Sequence, residues 1–194
     1  MSLGEILFYK RGYTPIPFII AAIVLADPRE DLVIFGGILM FIGELLRIAG
    51  VSYLGDTSRS EETDKNKLVT NGPFAHVRNP LYFGNMFLYM GASIVAGGWL
   101  PYMLYLVIIF FTIQYAIIIK YEEKRLKEMF QEEYTKYFNS VPRFFPRISP
   151  YPDTSKVKPD LAGAFTIEKI TIAKIIGFLF LVLISWYSQT SGII

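Results

Sequence analysis

The chain has 194 residues, of which 53% are hydrophobic, and its mean hydropathy of +0.39 is higher than that of most soluble domains. It contains no cysteine and a single histidine, which excludes disulfides, thiolate catalysis and cysteine metal sites and argues against a bound metal. A net charge of +2 is too small to indicate a nucleic-acid partner. We therefore expect an all-α integral membrane protein, with residues 1–194 forming one membrane-embedded domain.

Five apolar runs predict about five transmembrane helices, because a helix needs about 20 apolar residues to cross the hydrocarbon of a bilayer. The runs cover residues 13–26, 32–54, 81–96, 99–119 and 170–187. The first run is short and begins with two prolines. We expect it to thin the bilayer locally or to rely on the apolar segment 3–9 lying at the interface.

The positions of the charges predict the orientation, because lysine and arginine concentrate in cytoplasmic loops. The external loop 27–31 holds one arginine among three acids. With the N-terminus cytoplasmic and the C-terminus external, the basic residues fall inside: Lys10, Arg11, Arg59, Lys65, Lys67, Arg78 and those of 120–174. The turn at Gly97 and Gly98 makes the third and fourth spans an antiparallel hairpin. The long polar loops, 55–79 and 120–168, then both lie on the cytoplasmic side.

Residues 68–84, with the sequence LVTNGPFAHVRNPLYFG, concentrate polar groups directly before the third span. Gly72 and the following proline predict a turn that lets backbone approach a ligand. Asn79 and Pro80 suit the cap and first position of a helix, whose positive end, with His76 and Arg78 nearby, favours an anion. Equally, Asn79 could serve only as a cap and Arg78 only as a membrane anchor.

Charged residues also occur in or beside the other spans. Glu44 and Arg47 are three apart and share a helix face, so they form either a packing ion pair or a site in which Arg47 holds a substrate anion. Glu122 follows the fourth span at the start of a charged amphipathic helix. It belongs either to a solvated face or to a site, where its carboxylate would accept hydrogen bonds from a ribose.

Taken in order, these segments resemble the isoprenylcysteine carboxyl methyltransferase family and its wider phospholipid methyltransferase relatives, over about residues 43–146. The matching residues are Gly43, Glu44, Leu46, Arg47 and Ala49 in the second span, Leu68, Val69, Thr70, Gly72, Arg78, Pro80, Tyr82 and Gly84 around the third, and Glu122, Glu123, Phe130, Glu132, Glu133, Tyr134, Tyr137, Val141, Pro142, Arg143 and Pro146 after the fourth. The resemblance implies methyl transfer from S-adenosylmethionine, leaving S-adenosylhomocysteine, to a lipophilic acceptor that enters from the bilayer.

Within the single domain we distinguish two N-terminal spans (13–54), a cofactor-binding region (55–146) and a C-terminal region with the last span (147–194). The residues that it assigns to the cofactor are Lys67, Leu68, Val69, Phe74, Asn79, Pro80, Leu81, Tyr82 and Glu122. We add Gly72, His76, Arg78 and Asn85 for their chemistry and proximity. Arg47, oriented by Glu44, is the predicted catalytic residue, because its charge would hold a carboxylate acceptor ionised.

Two departures bear on the acceptor. The family commonly has histidine where this chain has Asn79, and eukaryotic members have an arginine proposed to touch substrate where this chain has Ile118. A carboxylate of an isoprenylcysteine-like lipid is the first acceptor that we expect. The amine of a phospholipid is a second, in which Glu44 would take the proton. The resemblance also leaves open an NADPH-dependent sterol reductase, similar around residues 78–82, and the composition is compatible with a non-enzymatic membrane scaffold.

Overall fold

The computed structural model describes residues 1–55, 67–152 and 155–191. These residues form six α-helices, which confirms the all-α prediction. The helices are α1 (Leu3–Lys10), α2 (Ile16–Val24), α3 (Glu30–Leu54), α4 (Pro80–Ala96), α5 (Tyr102–Ser140) and α6 (Leu161–Thr190). Within the loop predicted at 55–79, Arg59 and Lys65 lie outside the described residues.

Two of the described helices, α3 and α5, are long and apolar enough to cross a membrane. The apolar part of α5 ends near Ile119, and the helix then continues with charged residues to Ser140. In contrast, α4 has 17 residues and α2 only 9. At 1.5 Å per residue, α2 is roughly 14 Å long, about half of the hydrocarbon thickness. A membrane domain with five complete spans therefore stays a prediction, and the first span is the shortest helix among the five.

Helices α3 and α4 pack most extensively against each other, and glycines make this contact possible. A Cβ atom added to Gly43 would lie 2.7 Å from the carbonyl oxygen of Gly84, and one added to Gly84 would lie 2.7 Å from that of Gly43. Gly36 and Gly91 form a second pair of the same kind. Small residues at these positions let the two backbones touch.

The turn between α4 and α5 closes as the two adjacent glycines predict. Gly97 ends α4 with a φ of 72°, in the left-handed region that favours glycine. A Cβ atom at this position would also lie 2.0 Å from the carbonyl oxygen of Asp27, so the turn packs directly on the α2–α3 loop.

The short helix α1 is fixed against the charged half of α5. Ser2 and Glu5 form a reciprocal capping box at its start, in which each side chain accepts from the other's backbone N–H. Gly4 lies against Tyr121, and the Phe8 ring lies 5.7 Å from the Tyr121 ring. This contact brings the N-terminal segment beside the position of Glu122.

Helix α6 begins at Leu161, earlier than the predicted start at residue 170. Asp160 caps it by accepting a hydrogen bond from the backbone N–H of Gly163 at 2.9 Å. Glu168 therefore belongs to a helix and is fully buried, although the sequence pattern put it in a cytoplasmic loop. The polar residues of the first turns interrupt the apolar run and so conceal the start of the helix.

After α5 the chain folds back as a connector (residues 141–151) that packs against the loop before α4. Backbone hydrogen bonds join Arg78 to Pro142, Arg147 to His76, and Tyr151 to the carbonyl of Ala75, each at 2.9 Å. The Tyr137 hydroxyl donates to the carbonyl of Phe74 at 2.7 Å. The connector thus covers the 3₁₀ turn Gly72–Ala75.

Candidate ligand-binding cavity

A cavity of about 1130 Å³ lies among the described helices and loops. Its walls are polar near the start of α4 and apolar further along the helices. The polar lining includes Arg11, Tyr53, Lys67, Glu122, Lys158 and Lys174, and the apolar lining includes Ile16, Ile19, Met40, Leu88, Ala92, Ile175 and Phe178. Leu88 and Ala92 follow Pro80 by 8 and 12 positions on α4, or roughly 12 and 18 Å along the axis. The cavity can therefore accommodate an amphipathic ligand.

Most of the predicted site residues come together on this cavity. Twelve of the fifteen line it: Arg47, Lys67, Leu68, Val69, Phe74, Arg78, Asn79, Pro80, Leu81, Tyr82, Asn85 and Glu122. Glu44, Gly72 and His76 are not part of its lining. The shared wall brings the predicted residues within reach of a single ligand, and their roles toward that ligand stay predictions.

Gly72 and His76 contribute to the loop rather than to the cavity wall. Gly72 has a φ of 59°, and a Cβ atom there would lie 2.3 Å from the ring of Tyr53, so glycine is needed both for the turn and for this close approach. The Nδ1 atom of His76 lies 2.8 Å from the carbonyl oxygen of Arg147. The imidazole therefore holds the connector in place.

Asn79 does not cap α4, so that prediction is wrong. No side-chain hydrogen bond closes the start of the helix, and the Asn79 amide instead donates to the carbonyl of Arg143 at 3.4 Å. The side chain of Asn79 therefore binds the connector and not the free backbone N–H groups at the start of α4. Pro80 occupies the first helical position, as predicted. The backbone N–H at this position has no acceptor within the helix, so proline loses no hydrogen bond there.

The guanidinium of Arg78 faces the cavity but is engaged by the connector and α5. It donates to Glu123 at 2.9 and 3.2 Å and to the carbonyls of Phe138 and Val141 at 2.5 and 2.6 Å. Glu123 is buried and also binds Arg143. These contacts join three segments, so Arg78 has a clear structural role in addition to any contact with a ligand.

Arg47 lies at the centre of a cluster that joins α3, α4 and α6. Its Nη2 atom donates to Glu168 at 2.6 Å, and its Nη1 atom donates to Asn85 at 2.5 Å. The Oε2 atom of Glu44 lies 3.7 Å from its Nε atom. Two carboxylates therefore balance one guanidinium. Glu168 is absent from the predicted site residues, although an acid between apolar residues of a helix is itself a signal of a buried partner.

Glu122 lies on α5 beyond the apolar part of that helix and lines the cavity. Burial raises the pKa of its carboxyl from the ordinary 4.5 to about 7, against the opposing effects of a hydrogen bond from Tyr82 and the charge of Arg11. The Tyr82 ring packs on Tyr115 with ring centroids 4.7 Å apart. Glu122 is thus a titratable acceptor held at the polar end of an aromatic wall.

The described residues combine an all-α fold, two helices long and apolar enough to cross a membrane, and a cavity that is polar at one end and apolar at the other. Residues 32–133, more than half of the chain, match the phospholipid methyltransferase family. The chain belongs to this family, and all fifteen predicted site residues fall inside the matched range. Glu168 and Lys174 fall outside it.

A curated relative is the cobalt-zinc-cadmium resistance protein CzcN of Cupriavidus metallidurans. It is 27% identical over 137 residues, which cover 70% of this chain and 62% of the relative. The chain thus spans less than two thirds of that protein's length. The predicted resemblance to the wider phospholipid methyltransferase family is confirmed, and membership of the narrower isoprenylcysteine branch stays a prediction.

Proposed function

We propose that the protein transfers a methyl group from S-adenosylmethionine to a lipid-type acceptor at the cytoplasmic face of a membrane. The observation that carries this proposal is the cavity on which twelve predicted site residues meet, continuous with an apolar end formed by α2, α3, α4 and α6. Membership of the phospholipid methyltransferase family supports the reaction type. In this proposal five helical segments are embedded in the bilayer, the N-terminus is cytoplasmic and the C-terminus is external.

The residues of the polar end fit S-adenosylmethionine. Glu122 supplies an acceptor for ribose hydroxyls, Lys67 a cation for the methionine carboxylate, and Phe74 an aromatic surface for the adenine. The volume of about 1130 Å³ exceeds the usual 300–1,000 Å³ of a site for one small molecule, so space remains for an acceptor. The bound sulfonium supplies a methyl group that is open to in-line displacement.

The protein's contribution to such a displacement is alignment and the exclusion of water. Tyr82 and Tyr115 form one packed wall, and the neighbouring rings of Tyr89 and Phe111 stack with centroids 4.2 Å apart. Asn85 is held by Arg47, which fixes the orientation of its amide at the same wall. These side chains contact one another, so they offer a bound acceptor a continuous packed surface.

The acceptor can be an amine or a carboxylate, and the contacts of Arg47 bear on the choice. A carboxylate acceptor relies on the positive charge of Arg47, which Glu168 and Glu44 already balance. This favours the headgroup amine of a phospholipid, and the family's description names phospholipids. The amine must lose a proton before its nitrogen displaces the sulfur from the methyl carbon; Glu44, predicted for that proton, does not line the cavity, whereas the carboxylate of Glu122 does. The carboxylate of an isoprenylcysteine-like lipid is the second candidate, supported by the ordered sequence resemblance over residues 43–146.

Binding of S-adenosylhomocysteine to the detergent-solubilised protein, measured by calorimetry alongside NADPH, tests the cofactor. We expect binding of S-adenosylhomocysteine alone, weakened about tenfold or more by Glu122→Gln, with Glu128→Gln on the exposed face of α5 as the matched control. Binding of NADPH would instead indicate a reductase. Binding of neither compound would remove both enzyme classes.

The acceptor is tested with S-adenosylmethionine labelled at its methyl group. Phosphatidylethanolamine and N-acetyl-S-farnesylcysteine are supplied separately, and the labelled lipid is treated with base. A methyl ester releases volatile labelled methanol under base, whereas an N-methyl group does not. We expect base-stable label on phosphatidylethanolamine. Base-labile label on the farnesylcysteine would establish the carboxylate acceptor instead.

A further inference from the structure

The cavity carries an excess of positive charge. Among the described residues that line it, seven are lysine or arginine and two are glutamate. The basic residues are Arg11, Arg47, Lys67, Arg78, Lys156, Lys158 and Lys174. A concave site lined by one sign of charge concentrates ligands of the opposite sign. The cavity as a whole therefore favours anionic groups.

The three arginines of this set are held by the protein itself. Glu123 engages Arg78, and Glu168 engages Arg47. Arg11 donates to the carbonyl of Phe8 at 2.7 Å and lies 4.1 Å over the ring of the same residue. An anionic ligand group that approached these guanidinium groups would have to compete with existing contacts. Lys67, Lys158 and Lys174, for which the described residues show no such contact, are better candidates for recognising the anion.

Lys174 differs from the other lysines of the cavity because it lies within the apolar run 170–187 of α6, whereas the others lie in loops. Its side chain is exposed, and in the bilayer arrangement proposed above an ionisable side chain within that run is costly unless it has a partner or a use. In the part of the chain that the structure describes, Lys174 forms no ion pair, whereas Lys124 and Lys136 on α5 each pair with a glutamate one turn away.

Lys174 also lies at the junction between the polar and apolar parts of the cavity. On α6, Thr171, Ile175 and Phe178 share a helix face with Lys174, and all four line the cavity. Along the helix axis, Lys174 is roughly 9 Å beyond Glu168, the partner of Arg47, and roughly 6 Å before Phe178. An acyl chain packed on Ile175 and Phe178 would bring the first polar group of its lipid to Lys174.

We propose that Lys174 binds the anionic group of the lipid acceptor, the phosphate of a phospholipid headgroup, and thereby determines which end of the lipid faces the cofactor. This inference rests on the proposed function and adds to it the residue that recognises the lipid. In this arrangement Lys174 rather than Arg47 supplies the cation, and Arg47 positions Asn85 and joins the helices.

The test compares Lys174→Gln, Lys174→Arg and the matched control Lys169→Gln, which removes an exposed lysine of α6 that does not line the cavity. The probes are dioctanoyl phosphatidic acid, dioctanoylglycerol and inorganic phosphate, and affinity is measured on the full chain in a neutral detergent. We expect Lys174→Gln to weaken binding of the phosphate-bearing lipid about tenfold and to leave dioctanoylglycerol unchanged. Lys174→Arg and Lys169→Gln should bind all three probes as the wild type does.

Three outcomes would overturn the inference. Unchanged affinity of Lys174→Gln for the phosphate-bearing lipid would mean that Lys174 only extends to water. An equal loss in Lys169→Gln would indicate general attraction by a basic surface. Inorganic phosphate binding as tightly as the lipid would show a site for a free anion and not for a headgroup.

A failure of the proposed function would give a different result. The wild type could bind the phosphate-bearing lipid through Lys174 but neither bind S-adenosylhomocysteine nor transfer methyl groups. That result would contradict the proposed methyl transfer and support the proposed anion site. If the wild type methylates a phospholipid and Lys174→Gln does so with unchanged KM, the reaction stands and the anion site is wrong.

Discussion

Arg47 and Glu168 are separated by 121 residues in the chain and joined by an ion pair of 2.6 Å. The pair ties α6 to α3, and Asn85 extends the contact to α4. Because Glu168 is fully buried, removing Arg47 would leave its carboxylate without the guanidinium that balances it, whereas removing Glu168 would leave Arg47 with Glu44. The polar wall of the cavity thus depends on a contact between helices that are far apart in the sequence.

Removing Arg47 should be more harmful than removing Glu168. We expect Arg47→Met to lower the free energy of unfolding by about 3–5 kcal/mol, since it leaves the buried carboxylates of Glu168 and Glu44 without the guanidinium that balances them, and Glu168→Leu to cost less, since Glu44 still balances Arg47. The double variant Arg47→Met with Glu168→Leu should cost less than the sum of the two single changes. Denaturant titration in mixed micelles measures the free energy of unfolding of the wild type, the two single variants and the double variant, which together form a double-mutant cycle.

The control for this experiment is Glu132→Gln, which breaks an ion pair with Lys136 on the exposed surface of α5. We expect little effect there, because solvent screens such pairs. Strict additivity of the Arg47 and Glu168 changes would mean that the two residues are not energetically coupled.

The glycine contact between α3 and α4 predicts a contrast within a single helix. Gly43→Ala should destabilise the protein by about 1–3 kcal/mol, because the new methyl group would lie 2.7 Å from the carbonyl oxygen of Gly84 and 2.9 Å from the backbone nitrogen of Leu88. Gly37→Ala, whose methyl group would meet nothing within 4 Å, should be neutral or more stable by about 0.5–1 kcal/mol. Equal effects at both positions in the same titration would contradict the close packing.

The contacts of Arg78 predict that its loss acts through the connector. In Arg78→Ala the carbonyls of Phe138 and Val141 lose their donor, so we expect faster hydrogen exchange over residues 141–147 together with weaker binding of S-adenosylhomocysteine. The control is Arg147→Ala, which removes one exposed hydrogen bond to Ser140. It should change the hydrogen exchange and the binding of S-adenosylhomocysteine less than Arg78→Ala does. Weaker binding with unchanged exchange would instead mean that Arg78 contacts the ligand directly.

Glu122 predicts a dependence of stability on pH. Its pKa is about 7 in the folded protein and near 4.5 when unfolded, so between these values the folded state holds a proton that the unfolded state releases. The contribution of Glu122 to stability is therefore fully present below about pH 4.5 and is lost as the pH rises toward 7. We expect the melting temperature of the Glu122→Gln variant to fall less between pH 5 and pH 7 than that of the wild type.

Glu128→Gln serves as the control for this measurement, because Glu128 is exposed and its ion pair with Lys124 lies at the surface. Its melting temperature should follow that of the wild type across the same range. Parallel pH profiles of the wild type and Glu122→Gln would show that Glu122 titrates in its ordinary range.

The long apolar helices are predictable from the sequence because each is marked by continuous hydrophobicity. The run 32–54 corresponds to Glu30–Leu54, and the run 81–96 to Pro80–Ala96. The start of α6 is not predictable in this way, since Glu168 and Lys169 lower the local hydropathy although the helix has already begun. The start of α1 is also marked in the sequence, because its capping box is formed by Ser2 and Glu5, which are only three residues apart.

The site is predictable where its residues are neighbours in the chain. Lys67, Phe74 and Tyr82 share the cavity because one turn leads from the loop directly into α4. Glu168 and Lys174 each carry a signal as ionisable residues among apolar ones, but no local pattern indicates which face of α6 meets α3, so their contacts are not predictable. The prediction for Asn79 is wrong for a related reason: the connector, more than 60 residues away, offers its side chain a different partner.

The glycine pairs between α3 and α4 restrict where the molecule can move. Where backbone touches backbone, no side chain can rotate to make a gap, so these two helices form a fixed wall. Exchange of a bulky ligand therefore requires displacement of the other walls, which α1, α2, α5, α6 and the loop residues 67–69 and 156–158 supply. Among these walls α2 is the shortest of the predicted spans, so ligand exchange would depend most on the helix that crosses the least of the bilayer.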